Sequence, residues 1–288
     1  MKKLLSIMMV ILFITFGTVG MAQAVLITSD LNSGVTATDM VNTLLGGGIS
    51  ASNVVYTGAN NASGQFSGGT GIIGFENGIL LTSGSTANVI GPNTSGSATT
   101  SNGLAGNATL NGLVPGYTTH DASILSFDFV PTGSFVQFSY VFSSEEYNEW
   151  VGSSFNDVFG FFVNGVNYAL IPGTATPVAI NNVNLGLNSA YYINNTDGHL
   201  NTQMDGLTVV LSMVAPVNAG VTNSMMLGIA DSGDSILDSA VFIKAGSFTP
   251  CGGPDQPPCG KVPEPSTLLL LGSGLLGFGF FARKRIKG

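Results

Sequence analysis

The chain has 288 residues, 44% hydrophobic and only 8% charged, which excludes a disordered chain, since disorder needs low hydrophobicity and high charge. Its formal net charge is -8. Of its eight bases only Lys244 lies in the body of the chain, so binding to nucleic acid, which needs Lys and Arg against phosphate, is excluded too.

Lys2-Lys3, an apolar run over residues 4–19 and Ala22-Gln23-Ala24 make the three parts of a secretory signal. Ala22 and Ala24 place small residues where signal peptidase reads them, so cleavage leaves Val25 as the mature N-terminus. A retained N-terminal membrane helix is the alternative.

Across residues 36–45, Ala37, Met40, Val41, Leu44 and Leu45 share one helical face, and Gly46-Gly47-Gly48 ends the run. Beyond it a period of two takes over. Leu125, Phe127 and Phe129 alternate with Ser126 and Asp128, and Val136, Phe138, Tyr140 and Phe142 alternate with Gln137 and Ser139. Met225, Leu227 and Ile229 alternate with Met226, Gly228 and Ala230, so both faces there are expected to be buried, and Val241 and Ile243 continue the pattern. Asn164-Gly165, between residues 158–163 and 166–170, supplies the positive φ angles of a type I′ hairpin, and Asn77-Gly78 is a second candidate turn. Many short strands with frequent turns predict one all-β domain over residues 25–250. The expected form is an antiparallel β-sandwich, jelly-roll-like, with one short N-terminal helix.

Two acidic clusters stand out in this charge-poor body. Glu145, Glu146 and Glu149 are followed by Asn156 and Asp157, and Asp231, Asp234 and Asp238 form the second cluster. Carboxylates gathered without Lys or Arg repel one another and resist ionisation. A hard cation with six to eight oxygen ligands removes that penalty, and Ca2+ is the usual one outside the cell. The expectation is therefore a Ca2+ site drawing on Glu145, Glu146, Asn156, Asp157, Asp231, Asp234 and Asp238. Solvated loop acids or N-caps are the alternative.

An enzymatic reading has less behind it. Glu145 and Glu146 would need to converge on one glycosidic bond, whereas neighbours on a strand point to opposite faces. His120 and His199 are distant in sequence, read as loop residues, and have no nucleophile elbow nearby. Tyr147 reads as core, and Trp150 as either a core edge or a sugar-stacking ring. Cys251 and Cys259 bracket a Gly/Pro-rich linker over residues 251–261, where a disulfide would close a small turn in an exported protein.

The body resembles the choice-of-anchor L domain. The resemblance is carried by residues 74–84 (GFENGILLTSG), by Ser143-Ser144-Glu145-Glu146-Tyr147, by residues 151–159 (VGSSFNDVF), by residues 230–235 (ADSGDS) and by Asp238-Ser239-Ala240-Val241-Phe242. It implies an exported protein attached through a C-terminal anchor, and it lends no catalytic residues.

After the linker come Val262-Pro263-Glu264-Pro265-Ser266, a Gly-containing apolar run over residues 267–282, and Arg283-Lys284-Arg285-Ile286-Lys287. This order is similar to the PEP-CTERM sorting signal, which implies processing by exosortase. The apolar run reads as a short transmembrane helix whose basic end stays cytoplasmic. The expected function is a non-enzymatic surface or exopolysaccharide-matrix protein, acting in adhesion, structure or glycan binding. The expected partners are signal peptidase, exosortase, the membrane before processing, and exopolysaccharide or other surface glycans. A secreted hydrolase of envelope polymers and an uncleaved single-pass membrane protein are the other readings.

Overall fold

The computed structural model describes residues 24–252 together with Gln256, Pro258 and Cys259. The predicted signal segment up to Gln23, including Ala22, lies outside the described residues, as do the sorting motif Val262, Pro263, Glu264, Pro265, Ser266 and the apolar run behind it. Among the described residues no helix is long and apolar enough to cross a membrane.

Two antiparallel sheets pack face to face. The larger contains β1 (Ile27–Asp30), β3 (Ser63–Ser67), β4 (Gly78–Thr82), β6 (Phe135–Ser144), β9 (Tyr192–Asn194), β10 (Gly206–Thr208), β11 (Leu211–Pro216), β13 (Ser239–Lys244) and β14 (Thr249–Cys251). The smaller is ordered β2 (Ile49–Thr57), β5 (Thr119–Pro131), β12 (Asn223–Ser232), β7 (Val158–Val163) and β8 (Val166–Asn167). Strand β6 organises the larger sheet. On one side it pairs with β13 and then β14, and on the other with β10 and then β11, so each flank is a long strand interrupted once.

The period-two pattern explains which face goes where. Phe138, Tyr140, Phe142, Phe159 and Phe161 meet between the sheets, with Phe138 and Phe161 centroids 4.6 Å apart and edge to face. Such aromatic pairs add about 0.5–1.5 kcal/mol beyond their area. Val141 on β6 points to the opposite face, joining Leu80, Leu207 and Phe242 in a second cluster. A third cluster forms outside the smaller sheet, where Ile124, Phe162 and Ala230 pack under Leu110 of α2 (Ala108–Asn111). Covered outer faces account for strands such as β12, whose two faces are both apolar.

Helix α1 (Ala37–Leu44) forms where expected. Thr36 Oγ accepts from the Asp39 N–H at 3.1 Å and Asp39 accepts from the Thr36 N–H at 3.0 Å, a reciprocal cap, while Met40, Val41 and Leu44 face the core. Asn164 and Gly165, with φ of 50° and 81°, join β7 to β8 as the sequence predicts. Asn77-Gly78 does not make a hairpin. Gly78 opens β4, and a Cβ there would lie 1.9 Å from the Ile243 carbonyl oxygen, so close strand approach is what requires glycine. Among the described residues, the fourteen strands and three apolar clusters belong to one two-sheet body with a hydrophobic core of its own.

Cys251 is buried in β14 opposite Phe135 and is disulfide-bonded to Cys259. The pair therefore ties the beginning of the linker to the edge of the domain.

Candidate metal centre

Among the described residues seven acids are buried: Asp121, Glu145, Glu146, Asp157, Asp205, Asp231 and Asp238, none more than 4% exposed. They gather at one end of the sandwich, where β4, β6 and β12 finish and β5, β7, β10 and β13 begin. Strand register places them there: Ser144 faces both Gly206 and Ser239, Asp231 faces His120, and Ala230 faces Val158. Asp157, just ahead of β7 in the smaller sheet, accepts from Ser239 Oγ at 2.7 Å on β13 in the larger one. It also accepts from the Ser232 N–H at 3.0 Å, so one carboxylate bridges the two sheets.

These acids differ in what surrounds them. Asp238 accepts from Asn88 Nδ2 at 2.7 Å and from the N–H groups of Thr100 and Ser85 at 3.0 and 3.3 Å. Its carboxylate fills the space beside Gly84, where a Cβ would lie 1.7 Å from Oδ2. Asp121 accepts from the N–H groups of Asn102 and Leu104 at 2.9 and 2.5 Å. The segment over residues 85–104 thus supplies neutral donors to both. By contrast, both oxygens of Glu146, both of Asp231 and Oε1 of Glu145 are buried without a hydrogen-bond partner. The Asp157 N–H and the Ser83 hydroxyl lie beside Glu146 and Asp231 but do not reach hydrogen-bonding geometry, and Ser83 Oγ instead accepts from the Ser239 N–H at 3.0 Å.

Among the described residues no base pairs with these acids. Among the described residues the one ion pair is His199 with Asp197 on an exposed loop, and Lys244 sits at the far end of β13. Burial is the largest influence on Glu145, Glu146, Asp157, Asp205, Asp231 and Asp238. It pushes Glu146 up to about 10, Glu145 to about 9 and Asp157 to about 8, and it raises Asp231, Asp238 and Asp205. Mutual repulsion adds to it along two lines. Asp157 and Asp234 act on Glu146, and Asp157 acts on Asp231, whereas Asp205 and Asp238 act on Glu145.

The two sequence clusters therefore meet at one rim, but not every member faces it equally. Glu145, Glu146, Asp157, Asp231 and Asp238 are buried there, and Asp234 is half-buried with Oδ1 accepting from the Ile236 N–H at 3.3 Å. Asn156 uses its amide oxygen to accept from the Asn181 N–H at 2.9 Å, holding a neighbouring loop, and Glu149 is exposed. Sequence reasoning missed Asp205 as a rim acid and assigned Asp121 no such part. The available signal was their rarity, an acid at the start of a strand in a chain with few charges. His120 stands in β5 rather than in a loop, while His199 is in a loop as expected. Tyr147 is buried and donates to the Val183 carbonyl at 2.8 Å, and Trp150 is 41% exposed, edge-on to Phe155.

Among the described residues no three His, Cys, Asp or Glu side chains already stand as a metal-holding group. What fits a hard cation is the donor chemistry: five enclosed carboxylate oxygens that accept no hydrogen bond.

A family model for the choice-of-anchor L domain matches residues 28–249, and one for the PEP-CTERM protein-sorting motif matches residues 261–285. No curated protein and no solved structure matches the chain. The sorting motif makes this an exported protein processed by exosortase and displayed at the cell surface. With three quarters of its length aligned to one family model and its tail to the other, the chain belongs to the choice-of-anchor L family and carries a PEP-CTERM sorting signal.

Proposed function

We propose that the domain is a non-enzymatic adhesion or cohesion module of the cell surface or exopolysaccharide layer, stiffened by Ca2+ at the acidic rim. The observation that carries this reading is the set of buried, unpartnered oxygens on Glu146 and Asp231. Buried acids are ordinarily paired, and among the described residues no Lys or Arg forms an ion pair with these. A Ca2+ ion would draw the two side chains together with Asp157, and Asp234 stands near enough to complete the charge. Because these acids come from β6, β7 and β12, the ion would bind one sheet to the other, which suits a module that bears load outside the cell.

Three features favour a binding role over turnover. Glu145 and Glu146 lie against different neighbours, which disfavours a shared bond. His199 is on an exposed loop with Asp197, and no nucleophile elbow accompanies it. Trp150, exposed beside the rim, offers a ring face to a sugar. Signal peptidase would release the N-terminus after Ala24, and the C-terminal helix would hold the chain in the membrane until exosortase acts.

The test is cosedimentation of the 24–259 domain with the exopolysaccharide of the producing cells, in Ca2+ and in chelator. Calcium-dependent retention without release of reducing ends is expected. Release of reducing ends, lost on Glu145→Gln or Glu146→Gln while the fold survives, would replace this reading with a hydrolase.

A further inference from the structure

The rim holds a second pair of carboxylates in different surroundings. Glu145 and Glu146 are successive residues in the bend after β6, and they meet different neighbours. Glu146 meets Asp157, whereas Asp205 is the charge that acts most strongly on Glu145. Asp205 immediately precedes β10, whose Gly206 lies opposite Ser144, next to Glu145.

Residues 93–98 arch over both carboxylates. The Ala98 N–H donates to Glu145 Oε2 at 3.2 Å, and Asn93 Nδ2 donates to Asp205 Oδ1 at 2.7 Å. Gln203 fastens the arch from below: its Oε1 accepts from the Thr94 N–H at 3.2 Å, and its Nε2 donates to Asn93 Oδ1 and to the Ser95 carbonyl. Each carboxylate thus commits one oxygen to the arch. The remaining oxygen of Glu145, on a side chain 1% exposed, accepts no hydrogen bond, although the Gln203 amide lies beside the carboxylate, and Asp205 Oδ2 faces Gly96, where a Cβ would lie 3.7 Å from it. Asp238 also acts on Glu145, more weakly than Asp205, but both its oxygens already accept from the 85–100 segment.

We propose that Glu145 Oε1 and Asp205 Oδ2 bind a second hard divalent cation beneath the 93–98 arch, separate from the ion at Glu146 and Asp231. The inference deepens the proposed function and rests on its premise that metal neutralises the rim acids. All-oxygen donors and an extracellular setting select Ca2+, with arch oxygens and water completing its coordination. The second ion clips the arch to β6 and β10, while the first joins the two sheets.

Native mass spectrometry of the 24–259 domain, titrated with CaCl2 at about pH 8, counts the ions. Two per chain are expected. Glu145→Gln with Asp205→Asn should leave one, and Glu146→Gln with Asp231→Asn should leave the other. A wild-type domain that saturates at one ion overturns the second site and spares the first, and one that takes none overturns both. Since the wild-type count alone decides, the outcome does not depend on the variants folding.

Discussion

Raising the pH should destabilise the metal-free domain. Glu146 has a folded-state value of about 10 and Glu145 of about 9, each against 4.5 for an unburied glutamate, and Asp157 of about 8 against 3.8. The folded state therefore keeps protons that the unfolded state has already released. Stability is full below about pH 4 and falls as pH climbs toward the folded-state values, by about 1.4 kcal/mol per pH unit for each retained proton. Between about pH 5 and 8 one such proton removes about 4 kcal/mol, a large share of the roughly 5–15 kcal/mol that holds an ordinary domain. For a domain of this size that is a fall in Tm of about 8–16 °C. Saturating Ca2+ replaces the protons and flattens the slope, because the folded state then holds ionised carboxylates and has no proton to release on unfolding. Melting followed by near-UV circular dichroism in chelator and in Ca2+ across this range measures both slopes. A metal-free Tm that is flat or rising from about pH 5 to 8 would refute the argument, since buried unpaired carboxylates cannot behave that way.

Further expectations follow from single contacts. Asp231→Asn removes a buried carboxyl whose ionisation burial opposes and introduces an amide that can donate to its acidic neighbours, so the metal-free domain at about pH 8 should gain on the order of 1–3 kcal/mol while its calcium response shrinks, as a paired melt would read. Gly84→Ala forces a methyl group onto the Asp238 carboxylate, and should cost about 2–4 kcal/mol in denaturant unfolding by breaking the bonds to Ser85, Asn88 and Thr100. Thr36→Ala deletes one half of the α1 cap and should cost about 1 kcal/mol in the same assay, with no effect on calcium binding. Cys259→Ser opens a loop of eight-residue separation, and chemical denaturation should register a loss of roughly 2–3 kcal/mol.

Much of the fold was legible because local rules and tertiary packing agree. The alternation in β5 and β6 marks the residues that meet between the sheets, Asn164-Gly165 marks its hairpin, and the run over residues 36–45 marks α1 to within one residue at each end. Gly78 misled because an Asn-Gly pair also arises where strands approach closely, and only the position of the Ile243 carbonyl separates the two cases. The covered outer faces could be anticipated for β12, whose both faces are apolar, but the covering of Val141 depends on segments distant in sequence.

At the rim, the two acidic clusters were visible as charge in a chain that has little, and their meeting follows from β6, β7, β12 and β13 ending or beginning together. What local sequence could not show is which acids are satisfied. Asp238 looks like Asp231 on paper, yet Asn88, Thr99 and Thr100, well over a hundred residues earlier, supply its donors and leave Asp231 with none. Asp205 was missed because nothing adjacent to it is acidic, and its nearness to Glu145 arises only when β10 pairs with β6.

The central claim is that metal neutralises the buried acids Glu146 and Asp231. It is tested most directly by titrating the chelator-treated 24–259 domain with Ca2+ at about pH 8 while following its melting temperature and bound calcium. The account predicts saturable uptake of at least one ion with a rise in Tm of about 8 °C or more, equivalent to about 4 kcal/mol at a thousandfold excess over Kd, and loss of that rise in Glu146→Gln with Asp231→Asn. A Tm unmoved by calcium, with no ion retained, would contradict it.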